Sequence, residues 1–308
     1  MAVIRRLVVP VLAFVMLVGC PGSPQSDLLG MKISVKKEIL PNGLTMLLVE
    51  DHSAPIVSYQ TWMRVGSVDE KRGATGLAHL FEHLMFKGTA KYGPREFFQK
   101  LETRGAEVNA MTTRDYTVFY ENFTSDQLDK VIDMESDRFR GLVLEDNVIN
   151  TERMVVLEER RLRLENNPDA KVQEALWAQA YLLHPYGWPV IGDPRDVIQV
   201  PAATIRAFYD RHYVASNAVV VVVGDFDVAT LKSKLTAAYG GLPKVDRPKR
   251  ETPTEPIQRE ERRYRLRDPS GGERVSWAYH ITSAREDDSY SLDVLSNILF
   301  EGSSARMH

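Results

Sequence analysis

A short apolar segment in the first third of the chain carries two histidines and a glutamate. It comprises residues 76–88, GLAHLFEHLMFKG, and its only strongly polar side chains before Lys87 are His79, Glu82 and His83. The pattern predicts a helix that is apolar on nearly every side and therefore buried. Because each polar group buried without a partner would cost about 1–3 kcal/mol, the fold must supply partners for these three side chains.

The spacing of the two histidines indicates a metal site. His79 and His83 are four residues apart, so their imidazoles lie on one helix face and can bind a single Zn²⁺. Glu82 lies beside them, where a carboxylate can act as general base on a water molecule. The pattern is His-x-x-Glu-His, as in one class of zinc peptidase motifs. The alternative is a pair of core histidines satisfied by hydrogen bonds.

A catalytic zinc site needs a third protein ligand. The predicted helix around residues 152–163 places Glu152, Val155, Val156 and Glu159 on one face, and two carboxylates beside two valines are unusual for a simple solvated face. Glu159 is the candidate ligand. The alternative is that Glu159 lies on an ordinary charged surface, because the segment is rich in charge.

The N-terminus has the outline of a secretion signal. Residues 1–19 contain two arginines and an apolar run too short for a transmembrane helix. The run ends at Cys20, the single cysteine of the chain, in a context that resembles a bacterial lipobox. We expect lipidation of Cys20, a tether over residues 20–31 and a membrane-anchored protein of the bacterial periplasm. The alternative is a buried cysteine in an ordinary N-terminal helix.

Composition and periodicity predict a folded α+β protein. The chain has 308 residues, is 44% hydrophobic, and carries a net charge of −3 without a long basic block, so nucleic acid is not an expected partner. Strand and helix patterns are mixed without strict alternation, which favours an α+β fold with a mixed sheet. Strands are predicted over 33–40, 44–49, 56–65, 106–111, 115–123 and 218–223, and helices over 76–88, 95–104, 125–140, 145–165, 169–183 and 202–212.

The pattern of the chain starts again after a linker. Residues 243–260 carry four prolines and many charges, as interdomain linkers do. Beyond them, residues 297–303 resemble residues 83–89 at an offset of 214, which we interpret as an internal repeat. A chance resemblance of two amphipathic segments is the alternative. We predict a first unit over 32–242 and an incomplete second unit over 261–308, with apolar faces exposed on residues 275–281 and 292–300.

The second unit is not expected to bind metal. The residues at offset 214 from His79, Glu82 and His83 are Asp293, Ser296 and Asn297.

Together these motifs resemble the M16, or pitrilysin-type, zinc metallopeptidases, and especially their bacterial processing-peptidase-like branch. His79, Glu82 and His83 match the family motif in full, and Glu159 stands where the family has its third zinc ligand. Glu152 matches the family's supporting carboxylate. Residues 105–112 resemble the segment that lines the cleft, in which Asn109 and Ala110 match the pair that binds substrate backbone; an ordinary polar turn before a strand is the alternative.

The resemblance implies a LuxS- and processing-peptidase-like fold in which two similar units form one half of a clamshell around a peptide. It implies one Zn²⁺ per chain and hydrolysis of extended or unfolded peptides, with a partner half or a homo-oligomer completing the cleft. We therefore expect the 308-residue chain to be a fragment or shortened form that is poorly active alone. The alternative function is a non-catalytic scaffold or partner subunit, which the family also contains.

Overall fold

The computed structural model describes residues 33–269 and 272–307. The proposed signal segment 1–19, Cys20 and the whole of the tether 20–31 lie outside these ranges, so the lipobox prediction is not addressed by the structure. Among the described residues, none of the helices has the length and apolar character needed to cross a membrane.

One sheet and nine helices make up the described regular structure, apart from short 3₁₀ and π turns. The strands are β1 (Lys36–Ile39), β2 (Thr45–Glu50), β3 (Ile56–Met63), β4 (Glu107–Thr112), β5 (Thr117–Thr124) and β6 (Ala218–Gly224). The helices are α1 (Leu77–Leu84), α2 (Glu96–Glu102), α3 (Leu128–Gly141), α4 (Asp146–Arg160), α5 (Pro168–Ala180), α6 (Pro194–Gln199), α7 (Ala202–His212), α8 (Val228–Tyr239) and α9 (Asp288–Phe300).

The sheet is mixed, and its strand order is β1-β2-β6-β3-β5-β4. β2 and β6 are parallel, whereas the other neighbouring pairs are antiparallel. The α+β prediction is therefore confirmed. β6 is a central strand, as its valine run predicted, but alternate residues along it are only half-buried, because one face of the sheet is more deeply buried than the other.

The hairpin predicted at Asn42-Gly43 joins β1 and β2. Gly43 has φ +94°, and a Cβ atom there would lie 2.9 Å from Ser216 Cβ, so this turn requires glycine. The Asn42 side chain accepts a hydrogen bond from the Leu44 amide and donates one to the Tyr239 carbonyl oxygen at 2.8 Å. The hairpin is thereby fastened to the end of α8.

The helices pack on the sheet and on one another through their apolar faces. α3 and α8 pack on each other and on the sheet, whereas α1 contacts β4, β5, α4 and α7. The sequence pattern did not predict α8, although Asp227 caps it through the Thr230 amide at 2.8 Å and Leu231 and Leu235 are buried. α1 thus lies between the β4–β5 end of the sheet and α4.

The predicted linker is extended but fastened to the preceding part of the chain. Arg250 forms ion pairs with Asp69 and Asp115, and the Glu255 carboxylate accepts hydrogen bonds from the backbone amides of residues 182–184. In the described part of residues 243–287 there is no helix or strand. Apolar side chains are exposed beyond the linker, as expected, with Trp277 74% and Tyr279 85% exposed.

Candidate metal centre

α1 begins at a sharp turn and buries most of its surface. Gly76, just before the helix, has φ +86°, and α1 ends at Leu84, so it is shorter than the predicted 76–88 helix. Its apolar side chains, including Leu80 and Phe81, are buried. Because the helix is enclosed in this way, its polar residues can be satisfied only by specific neighbours.

Three of the predicted residues converge. His79 and His83 project from α1 with ring centroids 4.9 Å apart, and Glu159 approaches them from α4. The Glu159 Oε2 atom lies 3.1 Å from His83 Nε2 and 3.7 Å from His79 Nε2. One donor atom from each residue lies within 4.8 Å of the other two, and among the described residues no other group of three or more His, Cys, Asp or Glu side chains is clustered in this way.

Glu152 forms a second layer behind His83. It is 2% exposed, its Oε2 atom lies 3.5 Å from His83 Nδ1, and its Oε1 atom pairs with Lys87 Nζ at 2.8 Å. Burial opposes the charged form, but the contacts with His83 and Lys87 outweigh it and lower the pKa of Glu152. A carboxylate that faces the outer nitrogen in this way can orient the imidazole.

The two histidines differ in their electrostatic surroundings. Burial, together with the smaller effects of His83 and Arg163, lowers the pKa of His79 to about 3. Burial also disfavours the charged form of His83, but Glu152 and Glu159 outweigh it and raise the pKa of His83. A neutral imidazole is the form that binds a metal ion, so His79 is already in that form. Two imidazoles and a carboxylate are a donor set that suits zinc, and the residues present fit that ion.

Glu82 lies beside the cluster, half-buried. Burial raises its pKa, whereas hydrogen bonding from Thr112 at the end of β4 and the charge of His83 act in the opposite direction. Glu82 does not belong to the group of three clustered donors. Its carboxylate thus lies near His83 and Glu159 without belonging to the clustered donors, and its role as general base stays a prediction.

Asn109 and Ala110 lie on β4, the strand at the edge of the sheet. Asn109 is exposed and its Oδ1 atom accepts a hydrogen bond from the Ala110 amide at 2.9 Å. β4 pairs on one side with β5 and contacts α1. The predicted substrate segment is therefore a strand beside the metal cluster and not a turn, which excludes the ordinary-turn alternative.

The predicted stripe on α4 divides into two. Glu152 and Val156 are buried, whereas Val155 is 44% exposed and lines a shallow groove with Met154, Leu162 and Glu159. Arg163 pairs with Glu159 Oε1 at 2.9 Å. Glu159 thus lies at the border between the buried cluster and the open groove, which excludes a purely solvated role for it.

Sequence reasoning missed one carboxylate at the start of the helix that carries the two histidines. Glu70, which lies before α1, is 6% exposed and accepts hydrogen bonds from the amides of Gly76 and Ala78 at 2.9 and 2.8 Å. Burial raises the pKa of Glu70 to about 8 against these hydrogen bonds. The contact spans six to eight residues, which is longer than the three-residue spacing of a capping box, so no local pattern indicated it.

A His-x-x-Glu-His helix that faces a glutamate on a second helix defines the inverzincin class of metallopeptidases. The model of the insulinase family, peptidase family M16, matches residues 45–194, and the model of the M16 inactive domain matches residues 199–308. The chain belongs to the M16 peptidase family.

Individual relatives agree with this assignment. The zinc protease PqqE of Helicobacter pylori is 31% identical over 270 residues, which cover 86% of this chain and 61% of that protein. A crystal structure of a protease from Helicobacter pylori superposes with a TM-score of 0.78 and 27% identity over 89% of this chain and 67% of the other. The periplasmic protease PqqL of Escherichia coli gives a TM-score of 0.66 and 25% identity, over 72% of this chain and 25% of PqqL.

Proposed function

We propose that the protein is a zinc-dependent endopeptidase that hydrolyses extended or unfolded peptides. The observation that carries the proposal is the convergence of His79, His83 and Glu159 within 4.8 Å, with the Glu82 carboxylate beside them. The relatives named zinc proteases support the same chemistry.

Each side chain has a distinct role in this proposal. His79, His83 and Glu159 hold the ion, and Glu152 orients His83 through Nδ1. When bound, zinc supplies Lewis acidity, which polarises a peptide carbonyl and makes water more acidic. Glu82 takes a proton from the attacking water and delivers it to the amine that leaves.

The substrate would be recognised along β4. An edge strand offers main-chain groups that can pair with an extended peptide, and Asn109 and Ala110 lie on the strand that contacts α1. Main-chain pairing favours flexible or unfolded substrates over a strict sequence rule. Ala110→Pro should therefore weaken peptide binding more than it weakens zinc binding.

The alternative is a non-catalytic scaffold or partner subunit. It is less favoured because the chain keeps the complete motif and the fold brings its members together. Metal analysis separates the two: about one zinc per chain supports the enzyme, and a zinc-free protein supports the scaffold.

A partner half or a second copy is proposed to complete the cleft. The chain spans 61% of the length of PqqE and 25% of PqqL. Peptide hydrolysis measured at several chain concentrations, with and without a partner half, tests this. Full activity of the dilute monomer would contradict it.

An extracytoplasmic, periplasmic location is proposed with membrane attachment through Cys20. The PqqL neighbour is named a periplasmic protease, and the sequence before Cys20 resembles a lipobox. Cys20→Ser should release the protein from the membrane fraction. Labelled fatty acid that never appears on the parent protein would contradict the anchor.

The catalytic proposal is tested by zinc content combined with degradation of an unfolded peptide. Glu159→Gln should reduce both zinc content and hydrolysis. Glu158→Gln is the matched control, because Glu158 is the preceding residue of α4 but pairs with the exposed Arg161. Equal zinc binding by the two variants would remove Glu159 from the ligand set.

A further inference from the structure

The two histidines of α1 are held in place differently. His83 has Glu152 at 3.5 Å from its Nδ1 atom. The Nδ1 atom of His79, by contrast, is buried and has no hydrogen-bond partner among the described residues. Since metal-binding histidines are usually oriented through their second nitrogen, the direction of the His79 ring must be set mainly by the backbone that carries it.

That backbone is the first turn of α1, where amide groups lack partners within the helix. Glu70 supplies partners for two of these groups. Its Oε2 atom accepts a hydrogen bond from the Gly76 amide at 2.9 Å, and its Oε1 atom accepts one from the Ala78 amide at 2.8 Å. Ala78 immediately precedes His79, so one carboxylate fixes both the start of the helix and the residue next to the first histidine.

The surroundings prevent this turn from shifting as a body. A Cβ atom on Gly76 would lie 2.7 Å from the Ile191 carbonyl oxygen and 3.1 Å from Gly192 Cα. The Thr75 hydroxyl donates to Asp196 at 2.6 Å and accepts from the Asp193 amide at 2.9 Å. The segment before α1 is therefore packed against the loop before α6, and Glu70 fastens the helix itself.

We propose that Glu70 is a positioning residue for the metal centre, which sets the orientation of His79 by fixing the first turn of α1 through the Gly76 and Ala78 amides. This inference rests on the proposed zinc-dependent function. It assigns to the α1 backbone the orienting task that is proposed for Glu152 at His83.

A helix cap that contributes only to stability is the competing explanation. Such a cap would lower the stability of the fold without changing how well the folded protein holds zinc. The two explanations therefore predict different zinc affinities for a Glu70 variant and a control variant that lose the same stability. A control is available in α8, which packs on α3 and β2, where Leu235 is fully buried.

The experiment measures zinc dissociation constants by chelator competition for the parent chain, Glu70→Ala, Glu70→Gln and Leu235→Ala. The visible spectra of the Co²⁺-loaded proteins and the denaturant midpoints of the metal-free proteins are recorded alongside. We expect Glu70→Ala to bind zinc about 10–100-fold more weakly, the range typical of outer-layer partners of a metal ligand, with an altered Co²⁺ spectrum. Glu70→Gln keeps one acceptor oxygen and should recover part of the affinity, whereas Leu235→Ala should lose stability at unchanged zinc affinity.

Each outcome decides the question. If Glu70→Ala binds zinc as tightly as the parent, Glu70 is only a cap and the inference is overturned. The same holds if Glu70→Ala and Leu235→Ala lose the same zinc affinity at matched stability. If Glu70→Ala does not fold, Glu70→Gln decides: weaker zinc binding supports the inference, and parental binding overturns it. A parent chain that binds no zinc would instead refute the proposed function itself.

Discussion

Two helices that the predicted repeat aligns, α1 and α9, have very different surroundings in this protein. The repeat aligns residues 83–89, which begin in the last turn of α1, with residues 297–303, which begin in the last turn of α9, at an offset of 214. Leu84 on α1 is fully buried, whereas its counterpart Ile298 is 50% exposed. Lys87 pairs with the buried Glu152, and its counterpart is Glu301, which is exposed.

This difference shows that an apolar helical pattern does not by itself make a site. α1 is enclosed by the sheet, α4 and the Glu70 carboxylate, and its polar positions carry side chains that can bind a metal ion. α9 has Asp293, Ser296 and Asn297 at the equivalent positions, and its hydrophobic side chains are exposed. Paired substitutions at equivalent positions of the two helices therefore measure what the surroundings contribute.

The largest expected difference is in metal binding. His83→Ala removes a proposed ligand and should abolish both zinc binding and hydrolysis, a loss larger than the roughly 10–100-fold typical of an outer-layer partner. Asn297→Ala, at the equivalent position of α9, should change neither. Zinc content after dialysis and cleavage of an unfolded peptide check both. Zinc retained by His83→Ala would break the comparison.

The next difference concerns catalysis with the metal in place. Glu82→Gln should keep zinc but lower peptide hydrolysis by about 10²–10⁴-fold, because an amide can neither accept nor return the proton. Ser296→Ala in α9 serves as the control and should leave the rate unchanged. Single-turnover hydrolysis by zinc-loaded protein is the measurement. A parental rate for Glu82→Gln would show that another group is the base.

A third difference concerns stability. Leu84→Ala should lower the free energy of unfolding by about 2–5 kcal/mol, the range for fully buried leucines. Ile298→Ala should cost less than about 1 kcal/mol, because the side chain already contacts solvent. Urea unfolding of both variants gives the two values. Similar losses would mean that α9 is buried in solution by contacts beyond those described.

The smallest expected effect sharpens the comparison within the metal centre. Glu152→Gln keeps the shape of the side chain but loses the charge that faces His83 and Lys87, so zinc affinity should fall by about tenfold. Glu158→Gln, on the same helix, should leave affinity unchanged. Chelator competition resolves a difference of this size. Identical dissociation constants would assign Glu152 a role in packing alone.

Local patterns allowed much of this fold to be predicted. The Asn42-Gly43 hairpin, the central position of β6 and the helix that carries His79 and His83 follow from turn chemistry and periodicity, which act between near neighbours in sequence. The α+β class follows from the mixture of the two periodicities. These features depend on residues a few positions apart, so the sequence predicts them well.

Long-range contacts could not be predicted in this way. The parallel pairing of β2 with β6 joins segments about 170 residues apart in sequence, and no local signal specifies it. The hydrogen bond from the Ala78 amide to the Glu70 carboxylate depends on how the loop before α1 turns back. The one-face stripe of α4 favoured Glu159 over Glu158, but this signal is weak on a mostly polar helix, and the family resemblance supplied the specific assignment.

The linker has a consequence for how the chain tolerates changes of length. Its prolines and charges are typical of a loose spacer, yet Arg250 and Glu255 fasten it to two separate parts of the preceding unit. The register between these two anchor points is fixed, so an inserted residue between them would detach one side chain or the other. Insertions at 244–248 leave both anchors in register, and natural length variation is expected to concentrate there.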